Sequence, residues 1–210
     1  MTAAGSRQRT LTAAGDKMQD RISVGVLALQ GDFAAHQRLL GALGAHAKRV
    51  RTPADLSGLD GLVIPGGEST TMTLGIEREG LAEPIRRFVD EGRPLLGTCA
   101  GLIMADRSHL DLIDIVSQRN AFGRQVRSFE ADVEIAGIDG GPVRAVFIRA
   151  PWICEHGPGV EILAAVEGHP IAARERSVTV FAFHPEITGE ARIHAAWLAD
   201  VRDRATRRPE

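Results

Sequence analysis

Pro94-Leu95-Leu96-Gly97-Thr98-Cys99-Ala100-Gly101-Leu102-Ile103-Met104-Ala105 reads as a short apolar strand that turns abruptly into an apolar run able to start a helix. The junction, Gly97 to Gly101, has the form G-x-C-x-G, the thiol counterpart of a nucleophile elbow. Small residues on either side allow a sharp turn while the cysteine side chain projects from the carboxyl end of a sheet. Backbone N–H groups at the helix start, together with the positive end of its dipole, favour a thiolate there. Taken alone, the pentapeptide fits a small buried core cysteine as well as a nucleophile.

Upstream, Ile22-Ser23-Val24-Gly25-Val26 continues through Leu27-Ala28-Leu29 into Gln30-Gly31-Asp32, a buried strand stopped by a turn, with Asp32 placed to cap a helix. Phe33 to Leu43 carries leucines at 39, 40 and 43 beside polar His36, Gln37 and Arg38, and Gly44 ends it. Ala47 to Arg51 and Gly61 to Ile64 are further short strands. Ser69 to about Glu79 and Leu81 to Glu91 read as helices, Pro84 being tolerated in a first turn. Short apolar strands alternating with helices predict an α/β fold with a mainly parallel sheet covered on both faces. After Gly123 the texture changes. Ser128 to Ile135, Val143 to Ile148, Val160 to Val166 and Val178 to Phe183 are strand-like, and a helix follows over about Glu190 to Arg204, so antiparallel additions are expected in this half.

The 210 residues, 44% hydrophobic and 25% charged, have the composition of a soluble domain with one sizeable core. We expect a single domain over 21–202, a disordered tail over 1–20 and a C-terminal tail over 203–210. Met18 stands just before the first strand, so Met1 to Lys17 reads as an extension from an upstream start. A net charge of −2 creates no field that would gather nucleic acid or an anionic membrane, and no stretch has the apolar length of a span or a secretory signal. Two cysteines, Cys99 and Cys154, are too few for a disulfide framework and fit a reducing, cytoplasmic setting.

A thiol nucleophile needs a base that takes its proton and returns it to the departing amine. Of the seven histidines, His184 has the right context: it ends the run Val178-Thr179-Val180-Phe181-Ala182-Phe183, and Pro185 then terminates pairing. Glu186, two residues on, projects to the same side in an extended chain and can orient the ring. His36, His46, His109, His156, His169 and His194 sit in helix, loop or polar surroundings, where solvated or hydrogen-bonded roles are expected. A third strand end carries Pro65-Gly66-Gly67-Glu68-Ser69-Thr70-Thr71-Met72. Ligands of open α/β sheets gather on this edge, and two glycines let backbone N–H groups approach a developing oxyanion. The competing readings are a phosphate cradle, disfavoured by the missing lysine, or a plain turn with Ser69 as helix cap. Without C-x-x-C or H-E-x-x-H there is no metal motif, and no cofactor is expected.

Gly97-Thr98-Cys99-Ala100-Gly101, the Pro65–Met72 loop and Phe183-His184-Pro185-Glu186 together resemble the triad-type (class I) glutamine amidotransferases. Leu27-Ala28-Leu29-Gln30-Gly31, Gln118 to Gln125, Ser128-Phe129-Glu130-Ala131-Asp132 and Phe147-Ile148-Arg149-Ala150-Pro151 narrow the resemblance to the glutaminase subunits of pyridoxal 5′-phosphate synthase, the PdxT/SNO family. The matches run from about Ile22 to Val201. The resemblance implies a flavodoxin-like three-layer sandwich that hydrolyses L-glutamine and passes ammonia to a ring-shaped synthase (lyase) subunit. On the matching positions Cys99 would be nucleophile, His184 acid/base and Glu186 its orienter. Gly67 and Ala100 would form the oxyanion hole, and Gly67, Glu68, Ser69, Arg119, Ile148 and Arg149 would hold glutamine.

One stretch departs from the family pattern. Between Gly101 and Ser117 the chain is several residues short, leaving only Leu102 to Ile115 where a longer helix and loop are expected. That implies a truncated helix behind Cys99, with altered support for the elbow and Arg119. The alternatives are a glutaminase serving another synthase, a cysteine-elbow stress protein or chaperone, and a non-catalytic binding subunit.

Overall fold

The computed structural model describes residues 22–119 and 128–208. The expected N-terminal tail lies outside the described residues, as does most of the motif that begins at Gln118. In chain order the elements are β1 (Ser23–Leu27), α1 (Phe33–Ala42), β2 (His46–Val50), β3 (Gly61–Ile64), α2 (Ser69–Arg78), α3 (Ala82–Asp90), β4 (Leu95–Thr98) and α4 (Ala100–Ala105). There follow β5 (Ile115–Gln118), β6 (Ser128–Val133), β7 (Val143–Ile148), β8 (Trp152–His156), β9 (Glu161–Val166), β10 (His169–Glu175), β11 (Val178–Phe181) and α5 (Ala191–Thr206).

Seven strands form the main sheet in the order β2-β1-β3-β4-β11-β10-β9. The pairings from β2 through β11 are parallel, while β10 is antiparallel to both β11 and β9. Every residue of β3 and β4 is buried, as their uninterrupted apolar runs require for central strands with both faces covered. By contrast β2, at the edge, buries only Val50 fully and exposes charged Lys48 and Arg49. Helices α1 and α5 pack together, as do α2 and α4, and α4 lies against β3 and β4. The fold is therefore the α/β sandwich expected, with antiparallel strands added in the C-terminal half.

Strands β5, β8 and β10 were not anticipated from the sequence. β5 and β8 pair only with each other, antiparallel, in a separate small sheet. β10 contains Pro170, and its pairing with β9 shifts register between Pro170 and Ala172, as expected where a residue lacks an N–H. The last helix continues to Thr206, beyond the expected end near Arg204.

Helix α4 has six residues, all buried. Its closing carbonyls are satisfied by the chain that follows: Leu110 N donates to Met104 O at 3.0 Å, and Leu112 N to Ala105 O at 2.9 Å. Asp106, 1% exposed, organises the rest. One carboxylate oxygen accepts from Ser108 N (2.9 Å) and His109 Nδ1 (2.8 Å), and the other from the N–H and hydroxyl of Ser117 at the end of the loop. Leu110, Leu112, Ile113 and Ile115 turn inward onto the core. A buried carboxylate thus bridges the segment between α4 and β5. Asp106→Ala should cost about 2–4 kcal/mol by stranding these donors, read as a lowered midpoint in chemical denaturation, whereas Asp111→Asn, at an exposed position whose φ of 54° asparagine tolerates, should have little effect.

Candidate active site

The site begins with strand register. Ile64 of β3 pairs with Gly97 of β4, and Thr98 with Phe181 of β11, so three central strands end at one level. The loops leaving them carry Gly66-Gly67, Cys99 and His184. Cys99 N donates to Phe181 O at 2.8 Å, fixing the elbow to the neighbouring strand. Cys99 itself has φ 47° and ψ −103°, a conformation an L-residue holds only when its surroundings impose it, and it is 6% exposed. The imposition is visible at Gly101, where an added Cβ would lie 2.1 Å from Ile64 O.

Gly66 shows how closely the three loops converge. A Cβ there would come within 2.3 Å of His184 Cε1 and 3.2 Å of Cys99 Cβ. His184 is held by its backbone N–H, which donates to Val146 O at 3.0 Å, and its Nδ1 lies 2.7 Å from Glu186 Oε1. Glu186 is 7% exposed. Burial works against a charged His184, but its hydrogen bonds with Cys99 and Glu186 and their negative charges outweigh it, pushing the ring up to about 10. For Glu186, burial alone would raise the carboxyl. The His184 hydrogen bond and the nearby His36 and His184 charges win, so it stays below the usual carboxylate range.

Cys99 and His184 open onto a cleft of about 320 Å³, within the range of small-molecule sites. Its walls include Gly67, Glu68, Ser69, Arg119, Ile148 and Arg149, all six residues that the resemblance assigns to glutamine. It also includes Gln30 and Ile103, which sequence reasoning did not single out as site residues. Gln30 Oε1 accepts from Glu68 N at 2.6 Å, and a Cβ on Gly67 would fall 1.9 Å from that oxygen, so the glycine is required by close approach. A larger cavity of about 370 Å³, against Trp197 and Phe181, contains neither thiol nor histidine.

Ser69 is not the cap of α2. Glu68 is: its carboxylate accepts from Thr70 N and Thr71 N at 3.0 and 2.7 Å and from the Thr71 hydroxyl, which together hold it down at about 2. Arg119 reaches back to this turn, 3.4 Å from Glu68 Oε1 and 3.3 Å from Thr70 Oγ1. Arg149 has φ 46°, so a second strained residue borders the cleft. His36 and His194, set aside in sequence as helix or loop residues, are both fully buried behind Glu186. Among the described residues no group of three or more His, Cys, Asp or Glu side chains is arranged to hold a metal, and both cysteines are unpaired.

This sheet, with its cleft where the central strands end, is an α/β sandwich of the glutamine amidotransferase type. A solved structure described as a glutamine amidotransferase superposes with TM-score 0.80 at 42% identity, over 86% of this chain and 98% of that one. PurLQS from Thermotoga maritima shares the fold at TM-score 0.67 and 14% identity, over 86% and 99%. A model of the SNO glutamine amidotransferase family matches residues 26–203. The pyridoxal 5′-phosphate synthase subunit PdxT of Mycolicibacterium vanbaalenii is 50% identical over 190 residues, 85% of this chain and 97% of that one. The subunit of the same name from Acidothermus cellulolyticus is 49% identical over 196 residues, 87% and 95%. The chain belongs to the SNO glutamine amidotransferase family, as the strand-end motifs led us to expect.

Because the His184 proton is held largely by Cys99, Cys99→Ala should let the ring titrate well below 10, towards the ordinary histidine range. Ring NMR titration of the two proteins measures this. The sign for stability follows: a raised folded-state value stabilises fully below about 6.5 and fades as pH rises through about 10. In Cys99→Ala the contribution should therefore be smaller and its alkaline loss complete at a lower pH.

Proposed function

We propose that this chain hydrolyses L-glutamine to glutamate and ammonia and delivers the ammonia to a pyridoxal 5′-phosphate synthase subunit. The observation that carries the reading is the convergence of Cys99, paired with His184 and Glu186, on a cleft lined by the glutamine-assigned residues. The Cys99 thiolate attacks the side-chain amide carbon, and the oxyanion forms against the N–H groups of Gly67 and Ala100. Ala100 is the first residue of α4, where a helix has no internal acceptor for its N–H. Protonated His184 gives its proton to the leaving nitrogen as the C–N bond breaks, leaving a γ-glutamyl thioester and ammonia. The ring, now neutral, takes a proton from water, which attacks the thioester. Glutamate leaves, the thiolate returns and His184 is charged again.

Arg119 and Arg149 supply the cationic groups that suit the substrate α-carboxylate, and Glu68, ionised at any physiological pH, offers the acceptor its α-ammonium needs. The relatives' name, a subunit of pyridoxal 5′-phosphate synthase, supports a synthase partner; a ring-shaped assembly of that partner is part of the proposal. An exposed Ile148 at the cleft and exposed Ile187 nearby in sequence to the triad suit a surface that a partner covers. Unpaired thiols suit a reducing cytoplasm, and no helix among the described residues is long and apolar enough to cross a membrane.

Ammonia release from glutamine, measured with the synthase subunit present, tests the reading: it should fall to background in Cys99→Ala, and equal rates in both proteins would refute it. A glutamine-like electrophile should add one adduct, at Cys99. Arg119→Ala should raise KM for glutamine about tenfold or more at little cost to kcat, since it removes a charge-assisted contact made equally before and during reaction.

A further inference from the structure

Behind Glu186 lies a line of buried polar groups that the chemistry above does not use. His36, on α1, and His194, on α5, are both 0% exposed, as is Thr98 at the end of β4. His36 Nδ1 is 2.9 Å from His194 Nε2, while its Nε2 is 3.3 Å from Thr98 Oγ1 and 3.4 Å from Glu186 Oε2. Glu186 Oε2 has no other partner, and neither His194 Nδ1 nor that oxygen makes a hydrogen bond of normal geometry among the described residues. Burying two imidazoles beside a carboxylate is costly unless the protons are arranged to satisfy it.

Two arrangements of neutral rings keep the His36–His194 contact, and they differ in what His36 Nε2 presents to Glu186 Oε2. If His36 carried its proton on Nδ1, it would donate to His194 and turn a lone pair towards Glu186 Oε2. With the proton on Nε2, His36 faces the carboxylate with a donor, and its Nδ1 accepts from His194 Nε2–H. We infer that His36 is a positioning residue for Glu186: its Nε2–H, in a tautomer set by His194, holds the carboxylate so that the other oxygen meets His184 Nδ1. Burial, the largest influence on both, keeps His36 and His194 from charging, with His194 at about 4. The carboxylate therefore receives a dipole from behind and keeps its full charge for His184. Thr98, one residue before Cys99, ties the same ring to the nucleophile strand.

The kinetic consequence rests on the glutaminase reading; the proton position does not. In the wild-type protein, ¹⁵N ring spectra should show His36 in the Nε2–H form, and the Nδ1–H form would overturn the inference outright. With the synthase subunit present, His36→Leu should lower kcat for ammonia release about 10- to 100-fold, the scale of a misplaced catalytic group, with KM within about twofold. His36→Gln, which carries an N–H near the Nε2 position, should recover most of that loss. Wild-type kcat in His36→Leu, or equal losses in folded Leu and Gln variants, would overturn it. The proton resonance of the His184–Glu186 hydrogen bond gives a readout free of turnover: sharp in wild type and His36→Gln, broadened by exchange in His36→Leu. If these spectra hold while no protein releases ammonia, the function has failed and the positioning role stands.

Discussion

Parallel pairing of β3, β4 and β11 in matched register sets everything else at the site. Because Ile64 stands beside Gly97, and Thr98 beside Phe181, the chain leaves three neighbouring strands at the same height. Side chains tens of residues apart then face one another without any long-range ordering of loops. Loss of one residue of register would turn each strand's side chains to the opposite face. The strain at Cys99 belongs to this arrangement: Gly97 and Gly101 let the helix start lie against β3, and the elbow has no relaxed conformation that keeps both contacts.

Electrostatics at the cleft are a contest between burial and pairing. Burial opposes charge on His184 and on Glu186, and in both cases the partner prevails. The outcome depends on proximity: separated, each group would neutralise, whereas together they support an ion pair in a site mostly shielded from water. Glu68 reaches its low value differently, through backbone N–H groups at a helix start, and remains exposed in the cleft wall.

The segment after the nucleophile shows how a very short helix can be closed within a core. A helix ended after six residues leaves carbonyls exposed to apolar surroundings, and the following loop folds back to bond them, with Asp106 binding its two ends. The elbow keeps its backing because α4 still packs on β3 and β4. Arg119, immediately after β5, still reaches the cleft.

Local chemistry made much of this legible in sequence. Apolar strand runs, glycines at close approaches and the proline soon after β11 identified the α/β class, the elbow and the strand ends, because those signals depend on neighbouring residues alone. Strands β5, β8 and β10 were not legible: their residues are mixed in polarity, and they form only because partners from distant segments supply the hydrogen bonds. Gln30 in the cleft wall was hidden likewise, since its role needs a contact across the fold, whereas the cap by Glu68 is local and was passed over because Ser69 is the commoner cap residue. His36 and His194 show the division most clearly. By composition they are ordinary helix residues; only the packing of α1 against α5 buries them behind Glu186. The residue types were written in the sequence, while which of them share a dry space was decided by tertiary packing, because burial and partnership are properties of the assembled core.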